Sequence, residues 1–389
     1  VMVNPVIQAI GWEADLADST ANWTYTVGPI AALISPLFLG AIADRFFATQ
    51  RVLATMHLLA AIPMLALPSL ITADASSAGM MIGVVSVHML CYMPTLGLTN
   101  TLTFANVSDQ AKQFPMIRVF GTLGWIVGNL AAGPLMESAG GPALFYLTGG
   151  AGLVLAVFSL SLPHTPPPKK GQPANLGAVF GLDAIALLRD RSFFVFILAS
   201  FLICIPLAAY YAWTSAYLVD GIGYTDSEVA LRMPIGQAAE VVFMVAMPWF
   251  FARLGVKKMI AIGMVAWVVR YALFASAADE QVRWMVLVGI GLHGICYDFF
   301  FVTGQIYVDK FAPPDIRGQA QGFLVLVTQG LGLGIGAQVI GQLVGQTTTN
   351  GVRDWETFWR YPAIGAAVIL VGFWWLFRGA IETEAEAEA

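Results

Sequence analysis

Long apolar stretches follow one another along almost the whole chain and constrain its fold more than any other feature. A hydrocarbon core about 30 Å thick needs about 20 apolar residues per helix. Because a backbone inside lipid must satisfy its hydrogen bonds internally, we expect helices and not strands. The sequence therefore predicts an all-α protein that crosses a membrane many times. The eleven stretches lie at 20–43, 51–73, 79–105, 115–138, 142–163, 193–219, 228–252, 256–277, 282–309, 317–345 and 357–378.

The composition argues against an ordinary soluble domain. Hydrophobic residues make up 58% of the chain and charged residues 11%, whereas soluble domains carry about 25% charged residues. The net charge of −5 is spread over short loops and indicates no nucleic-acid partner. Cys91, Cys204 and Cys296 all fall inside apolar stretches, which argues against a disulfide framework. The sequence contains no cofactor motif, and we expect no cofactor.

The segment Val1–Ile10 is apolar but too short to span a membrane. We expect it to be the outer end of a helix that begins before Val1. With that helix restored, the chain would have twelve transmembrane helices.

The positions of Lys and Arg predict the orientation in the membrane. If the loop Trp12–Ser19 faces outward, the only Lys or Arg residues in the loops on the outer side are Arg283, Arg353 and Arg360. By the positive-inside rule, we expect a bacterial inner-membrane protein with both termini in the cytoplasm. The basic residues on the predicted inner side are Arg45, Arg51, Lys112, Lys169, Lys170, Arg189, Arg191, Arg253, Lys257, Lys258, Lys310, Arg317 and Arg378.

One stretch rich in Pro, Gly and Lys, HTPPPKKGQPANLG at 164–177, interrupts the apolar pattern and indicates a linker. The residues that follow, Ala178–Arg191, favour an amphipathic helix on the inner membrane surface. We therefore predict an N-terminal transmembrane half at 1–163, a cytoplasmic linker at 164–192, a C-terminal half at 193–378 and a disordered acidic tail at 379–389.

The two predicted halves contain related segments. His88–Tyr92 reads HMLCY, and His293–Tyr297, 205 residues later, reads HGICY. Each is followed by a loop and by a helix that opens with an Arg, in PMIR at 115–118 and PDIR at 314–317. Two pseudo-symmetric six-helix halves, with the solute site between them at mid-membrane, are typical of secondary carriers.

The loop between the first two complete stretches contains Gly40-Ala-Ile-Ala-Asp44-Arg45, followed by Arg51. It resembles the loop signature of the major facilitator superfamily. A carboxylate beside a helix end and basic side chains would form a breakable latch on the cytoplasmic side. The alternative is ordinary anchoring of basic residues at the inner surface.

Charges inside the bilayer are costly and therefore mark a site or a structural pair. Asp298 lies in the middle of the stretch 282–309, and Glu240 lies midway along 228–252. Asp298 is a candidate for carrying a proton or contacting substrate, and the alternative is a structural ion pair. Gln237 shares a helix face with Glu240, and the two would suit a polar solute. The alternative is a polar patch that joins two helices.

Other residues leave the choice between site and structure open. Arg118, Thr122 and Trp125 share one helix face, but Arg118 near the cytoplasmic end would also suit snorkelling or a latch. Arg270 and Arg232 are expected to pair with acids or to snorkel, in structural roles. His293 precedes Asp298 in the same helix and could bind solute or modulate the acid, whereas we assign His88 a structural role. The aromatic residues Tyr210, Tyr211, Trp213, Trp125 and Tyr297 could stack on a flat ring or simply pack.

Five segments together carry a resemblance to a known family. They are ADRFF at 43–47, PTLGLTN at 94–100, FPMIRVFGT at 114–122, GQAAE at 236–240 and YDFF at 297–300. In these segments the chain resembles the nucleoside:proton symporter family, a branch of the major facilitator superfamily, over nearly its whole length. The resemblance implies import of nucleosides by proton symport through alternating access, with Asp298 as the proton-coupling acid and Glu240 as a second candidate. The substrate-binding residues that it implies are Arg118, Thr122, Trp125, Gln237, Glu240, Tyr297 and Asp298, with His293 at a further aromatic position.

The chain departs from the family at two places. Where well-known members carry a Gln and an Asn that hold the solute, this chain has Ala208 and Tyr211, so Tyr211 is a further candidate for contacting substrate. This departure keeps a carrier of another polar metabolite, such as a nucleobase or sugar, as an alternative, and a transport-dead receptor is another. Without paired metal ligands or a nucleophile motif, we do not expect an enzyme. We expect a monomer whose partners are a small-molecule nucleoside, protons and the lipid bilayer.

Overall fold

The computed structural model describes residues 12–72, 74–168, 170, 182–350 and 352–379. Our expectations for Val1–Ile10, for most of the linker and for 380–389 of the acidic tail lie outside these residues. The α-helices within the described part of the chain are α1 Ala14–Arg45, α2 Thr49–Leu70, α3 Ser77–Asn106, α4 Gln110–Ala139, α5 Pro142–Ser161, α6 Arg191–Ala216, α7 Asp226–Arg232, α8 Pro234–Ala278, α9 Arg283–Gly291, α10 His293–Tyr297, α11 Thr303–Phe311, α12 Arg317–Val325, α13 Leu333–Gln346 and α14 Trp355–Leu376.

Ten helical runs in the described residues are long and apolar enough to cross a membrane. The longest, Glu228–Ala278, has 51 residues and is interrupted at Gly255, where φ is 64° and ψ is 177°. This positive φ favours glycine and breaks the helix, so the run contains two of the predicted stretches. The predicted all-α membrane fold is confirmed, with one short hairpin, β1 Thr348–Thr349 and β2 Val352–Arg353, before α14.

One detail of the sequence prediction is wrong. The predicted loop Trp12–Ser19 is helical from Ala14, because α1 extends well beyond its apolar stretch. The described part of the predicted amphipathic helix is a 3₁₀ helix, Leu182–Arg189. It ends because the Asp190 side chain accepts a hydrogen bond from the Phe193 backbone N–H at 2.8 Å and caps the start of α6.

Short π-helical segments divide two of the predicted stretches. They lie at Asp298–Val302, between α10 and α11, and at Leu326–Gly332, between α12 and α13. Another, Tyr217–Gly221, ends the run that begins with α6. Such segments widen the backbone spiral locally and are frequent at functional sites.

The described residues form two compact units. Unit 1 draws on Val1–Asn106, Val127–Ala186 and Ala312–Gly330, and unit 2 draws on Val107–Ile126, Leu187–Phe311 and Leu331–Ala389. These units differ from the predicted halves, because 107–126 joins unit 2 and 312–330 joins unit 1. The boundaries of the halves stay a prediction.

In unit 1, α2 packs against α3 and α5, and α1 packs against α3 and α12. Glycines allow α12 to approach closely. A Cβ atom added at Gly40 would lie 2.6 Å from the Gly318 carbonyl oxygen, and one added at Gly97 would lie 3.2 Å from the backbone of Gln321 and Gly322. Asp44, at the end of α1, accepts hydrogen bonds from the backbone N–H groups of Gly318, at 3.2 Å, and Gln319, at 2.9 Å.

We expect Gly318→Ala to destabilise the protein by about 1–3 kcal/mol, because the new Cβ would collide with the Asp44 carboxylate and disturb two charge-assisted hydrogen bonds. Gly83→Ala is the matched control in α3, since an added Cβ there meets no atom within 4 Å among the described residues. Thermal unfolding of both variants in detergent checks the prediction. Equal melting temperatures for the two variants would contradict it.

In unit 2, α8 packs against α9, α10 and α14, and α6 packs against α13 and α14. Close helix crossings again occur at glycines. A Cβ added at Gly294 in α10 would lie 2.6 Å from the Ala239 backbone in α8, and one added at Gly236 in α8 would lie 3.2 Å from the Cβ of His293. These crossings bring the middle of α8 against α10 and the π-helical segment that begins at Asp298.

Candidate functional site

Glu240 is the centre of a polar cluster inside unit 2. Its side chain is buried, and one carboxylate oxygen accepts a hydrogen bond from the Thr122 hydroxyl in α4 at 2.6 Å. The other carboxylate oxygen lies 3.7 Å from Nε2 of His293 in α10. Three helices therefore converge on one carboxylate. The sequence predicts each of these residues as a candidate, but no sequence signal pairs them.

Arg118, also in α4, supplies the positive charge of the cluster. Its guanidinium hydrogen-bonds the side chain of Tyr297 and interacts electrostatically with Glu240 and Asp298. The side chain is partly buried, eight residues into α4 counted from Gln110. The sequence leaves the role of Arg118 open between a site, snorkelling and a latch, and the structure places Arg118 beside the buried acids.

Asp298 is the first residue of the π-helical segment Asp298–Val302, and its exposed fraction is 0%. Within the described part of the chain, neither carboxylate oxygen accepts a hydrogen bond. Its electrostatic neighbours are Glu240 and Arg118. A carboxylate buried without hydrogen-bond donors is strongly disfavoured in its charged form, so this residue is chemically suited to hold a proton.

Aromatic rings pack against the His293 side of the cluster. The His293 ring stacks on Tyr210 with centroids 5.4 Å apart and contacts Tyr297 at 5.9 Å. The rings of Trp125, in α4, and Tyr211, in α6, are 51% and 53% exposed. The cluster therefore combines buried polar groups with aromatic rings, which is typical of small-molecule sites.

Several predicted residues lie outside this contact network or at its margin. Gln237 is half-buried one helical turn before Glu240. Trp213 contacts Phe358 in α14 and lies beside Arg353, so the structure does not bring it to the cluster. Ala208 packs against α13, where a Cβ added at Gly336 would lie 2.9 Å from the Ala208 Cβ. This close approach leaves no room for a long amide side chain pointing toward α13.

The basic residues to which the sequence assigns structural roles have different partners. Arg232 pairs with Glu228 at 3.1 Å and covers the Tyr224 ring. The expectation that Arg270 pairs with an acid or snorkels is wrong, because it is fully buried and its Nε donates to the Gly289 carbonyl at 2.9 Å. The His88 ring has a hydrogen-bond partner on a neighbouring helix, because its Nδ1 lies 2.9 Å from the Ala60 carbonyl oxygen.

The predicted latch residues lie at the end of α1 and the start of α2, in unit 1. Asp44 caps the first turn of α12, where the positive end of the helix dipole favours an anion. Arg45 forms an ion pair with Asp183 at 3.1 Å. Arg51 is exposed. A carboxylate bound to a helix start and a neighbouring ion pair are contacts that can break and re-form.

In the described residues, no group of three or more His, Cys, Asp or Glu side chains is arranged to hold a metal ion.

Comparisons with known proteins agree with this architecture. The family model described as "Nucleoside H+ symporter" matches residues 8–382. The chain is 38% identical over 371 residues to YegT of Escherichia coli (strain K12), covering 92% of this chain and 85% of the relative. It is 30% identical to the nucleoside permease NupG of the same organism, over 90% of this chain and 85% of the relative, and 30% identical to its xanthosine permease, over 92% and 88%.

Solved structures show the same fold. Two crystal structures of the nucleoside transporter NupG, one of them of a mutant, match with TM-scores of 0.65 and 0.69 at 27% identity, covering 97% of this chain and 94% and 95% of theirs. The human organic anion transporter MFSD10 matches with a TM-score of 0.73 over 95% of this chain and 88% of its own, at 14% identity, which supports the fold alone. The chain therefore belongs to the nucleoside H⁺ symporter family of the major facilitator superfamily, a family of transporters and not of enzymes.

Proposed function

We propose that this carrier imports nucleosides together with protons and that the Glu240 cluster of unit 2 binds both. The observation that carries this proposal is the convergence of Thr122, His293 and Arg118 on two buried acids within one apolar unit. Polar and charged groups are costly inside a membrane and are retained where they serve transport. The relatives named as nucleoside and xanthosine permeases support the substrate class.

Asp298 carries the proton in this proposal. Its buried carboxyl group has no hydrogen-bond donor among the described side chains, so the neutral form is favoured when Arg118 engages other partners. Movement of Arg118 toward Asp298 would stabilise the charged form and release the proton. Glu240 is the second candidate for this role.

The nucleoside contacts divide between polar and aromatic groups. Glu240 and Gln237 would hold ribose hydroxyls or base edges, because a carboxylate accepts and an amide both accepts and donates. Trp125, Tyr211 and Tyr297 would cover the base. Arg118, Thr122 and His293 would orient Glu240, and the imidazole of His293 would also hydrogen-bond the solute.

Transport follows alternating access by two pseudo-symmetric halves. In each cycle, the contacts of Asp44 and Arg45 would open and re-form as a cytoplasmic latch, with Arg51 as its third residue. The carrier would reside as a monomer in the bacterial inner membrane with both termini in the cytoplasm. The basic loops on that side support this orientation.

Competition for uptake tests the substrate class. Purified full-length carrier in proteoliposomes, with an inward proton gradient imposed, is given labelled uridine and excess unlabelled adenosine, xanthosine, uracil or xylose. We expect the nucleosides to compete and the free base and the sugar to fail. Competition by the base or the sugar, with no competition by nucleosides, would contradict the proposal.

Thr122→Val is expected to weaken nucleoside binding about 5- to 20-fold, because loss of the hydroxyl removes a 2.6 Å hydrogen bond to the Glu240 carboxylate and leaves that charge poorly satisfied. Val has nearly the same shape, so the fold should persist. Thr122→Ser keeps the hydroxyl and should bind within about twofold of the unchanged protein. Equilibrium binding of uridine compares the two, and equal affinities would exclude a role for the hydroxyl.

A further inference from the structure

Arg270 is a permanently charged side chain buried in unit 2, and it forms no ion pair with a carboxylate of the residues that the structure describes. Its exposed fraction is 0%, and its electrostatic neighbours are Cys296, Tyr210, Tyr271 and Tyr211. In the described residues, neither Nη1 nor Nη2 has a hydrogen-bond partner. A lone buried cation is expensive, so its presence calls for a role that an apolar side chain would not supply.

The contacts of Arg270 lead to His293 by two routes. The guanidinium carbon lies 4.2 Å from the centre of the Tyr210 ring, and that ring stacks on His293 with an angle of 17° between the planes. In addition, Arg270 Nε donates to the carbonyl of Gly289 at 2.9 Å, in α9, which ends at Gly291 just before α10 begins at His293. Arg270 thus contacts both the ring that stacks on His293 and the helix end that precedes His293.

The position of His293 matters because its Nε2 lies 3.7 Å from Glu240. A cation held against the face of Tyr210 fixes that ring by the cation–π attraction, and the fixed ring leaves His293 one stacked orientation. In that orientation a neutral imidazole can both donate to Glu240 and accept from a solute hydroxyl.

We propose that Arg270 is a positioning residue for nucleoside recognition: acting through the Tyr210 ring and the Gly289 carbonyl, it holds His293 in place beside Glu240. The consequence for binding rests on the proposed function, whereas the consequence for His293 itself does not. Arg270 touches no substrate in this account and affects selectivity only through His293.

The first readout is independent of any nucleoside. In full-length carrier labelled with ¹⁵N-histidine, the His293 imidazole signal is assigned by its loss in His293→Gln. We expect Arg270→Met and Tyr210→Leu to shift this signal, because each removes part of the stack. Tyr307→Phe is the matched control, since it removes the hydroxyl of a buried tyrosine whose ring packs on Phe193 and Phe196 and should leave the signal in place. An unshifted His293 signal in Arg270→Met would overturn the proposal.

The second readout is uridine affinity in a double-mutant cycle. We expect Arg270→Met to weaken binding about tenfold, and to add nothing further in a His293→Phe background. Tyr210→Phe, which keeps the ring, should preserve the coupling between positions 270 and 293. Because Met removes an unpaired buried charge, the variant should fold, and Arg270→Lys provides a second variant that retains the charge without the planar group.

The outcomes separate the two proposals. Independent, multiplying losses in Arg270→Met and His293→Phe would show that Arg270 serves only as a structural contact, and would overturn the inference. If instead Arg270→Met shifts the His293 signal although the unchanged carrier binds no nucleoside, that result would support the positioning role and refute the proposed function. A shifted signal with non-additive losses would support both.

Discussion

Asp298→Asn is expected to abolish proton-driven accumulation of nucleoside while leaving exchange of nucleoside across the membrane intact. The carboxyl group is fully buried at the start of a π-helical segment, and no described residue donates a hydrogen bond to it. An amide has nearly the same shape but cannot release a proton. One charge moved through 100 mV supplies about 2.3 kcal/mol, which corresponds to an accumulation of about 40-fold for the unchanged carrier. The variant should reach only the external concentration.

Two assays in proteoliposomes distinguish loss of coupling from loss of folding. The first measures accumulation of labelled uridine under an inward proton gradient, and the second measures exchange of labelled for unlabelled uridine without a gradient. Asp309→Asn is a comparison variant, because Asp309 is also buried but accepts a hydrogen bond from Gln110 at 2.6 Å. Accumulation that persists in Asp298→Asn would show that another group carries the proton, and Glu240 would be the next residue to test.

The second large effect is expected for Glu240→Ala, which should weaken nucleoside binding more than about 100-fold. Truncation removes the acceptor of the Thr122 hydroxyl and the carboxylate that faces His293. It also leaves Arg118 with one buried acid fewer, and an uncompensated buried charge is strongly unfavourable. Glu240→Gln keeps the volume and one carbonyl acceptor, so its loss should be intermediate.

Equilibrium binding of uridine to the purified carrier measures these losses. Glu280→Gln is the control, because Glu280 is exposed in the loop between α8 and α9 and should bind as the unchanged protein does. Full affinity in Glu240→Ala would show that the cluster around Glu240 serves only to hold the helices together, which is the alternative left open by the sequence.

The transmembrane architecture could be predicted from the sequence because it follows from hydropathy and length alone. The apolar stretches, the break near Gly255 and the candidate site residues are visible in the pattern of residues. The interruptions at Asp298–Val302 and Leu326–Gly332 are not. A π-helical segment depends on packing against neighbouring helices and leaves no trace in hydrophobic periodicity.

Within the site, the sequence predicts individual residues but not their pairing. Glu240, Thr122 and His293 lie on three different helices, and their convergence depends on the close crossing at Gly236 and Gly294. Arg270 is a second residue whose partner could not be predicted from the sequence. Its charge within an apolar stretch signals importance, but only the fold shows that it faces the Tyr210 ring and that, within the described part of the chain, its electrostatic neighbours include no Asp or Glu. Trp213 contacts α14, although Tyr210 and Tyr211 lie close to it in the sequence. Neighbouring residues of a helix lie on different faces, so closeness in sequence does not predict which of them reach the site.

Nucleoside-induced proton movement is the most direct test of proton-coupled nucleoside import by this carrier. Vesicles that contain the full-length carrier and a pH-sensitive dye are given uridine without any imposed gradient, and uridine entry is recorded in the same sample. Coupled transport predicts that the vesicle interior acidifies as uridine enters, and that the acidification is absent with Asp298→Asn. Uridine entry without any change in internal pH would contradict proton-coupled nucleoside import by this carrier.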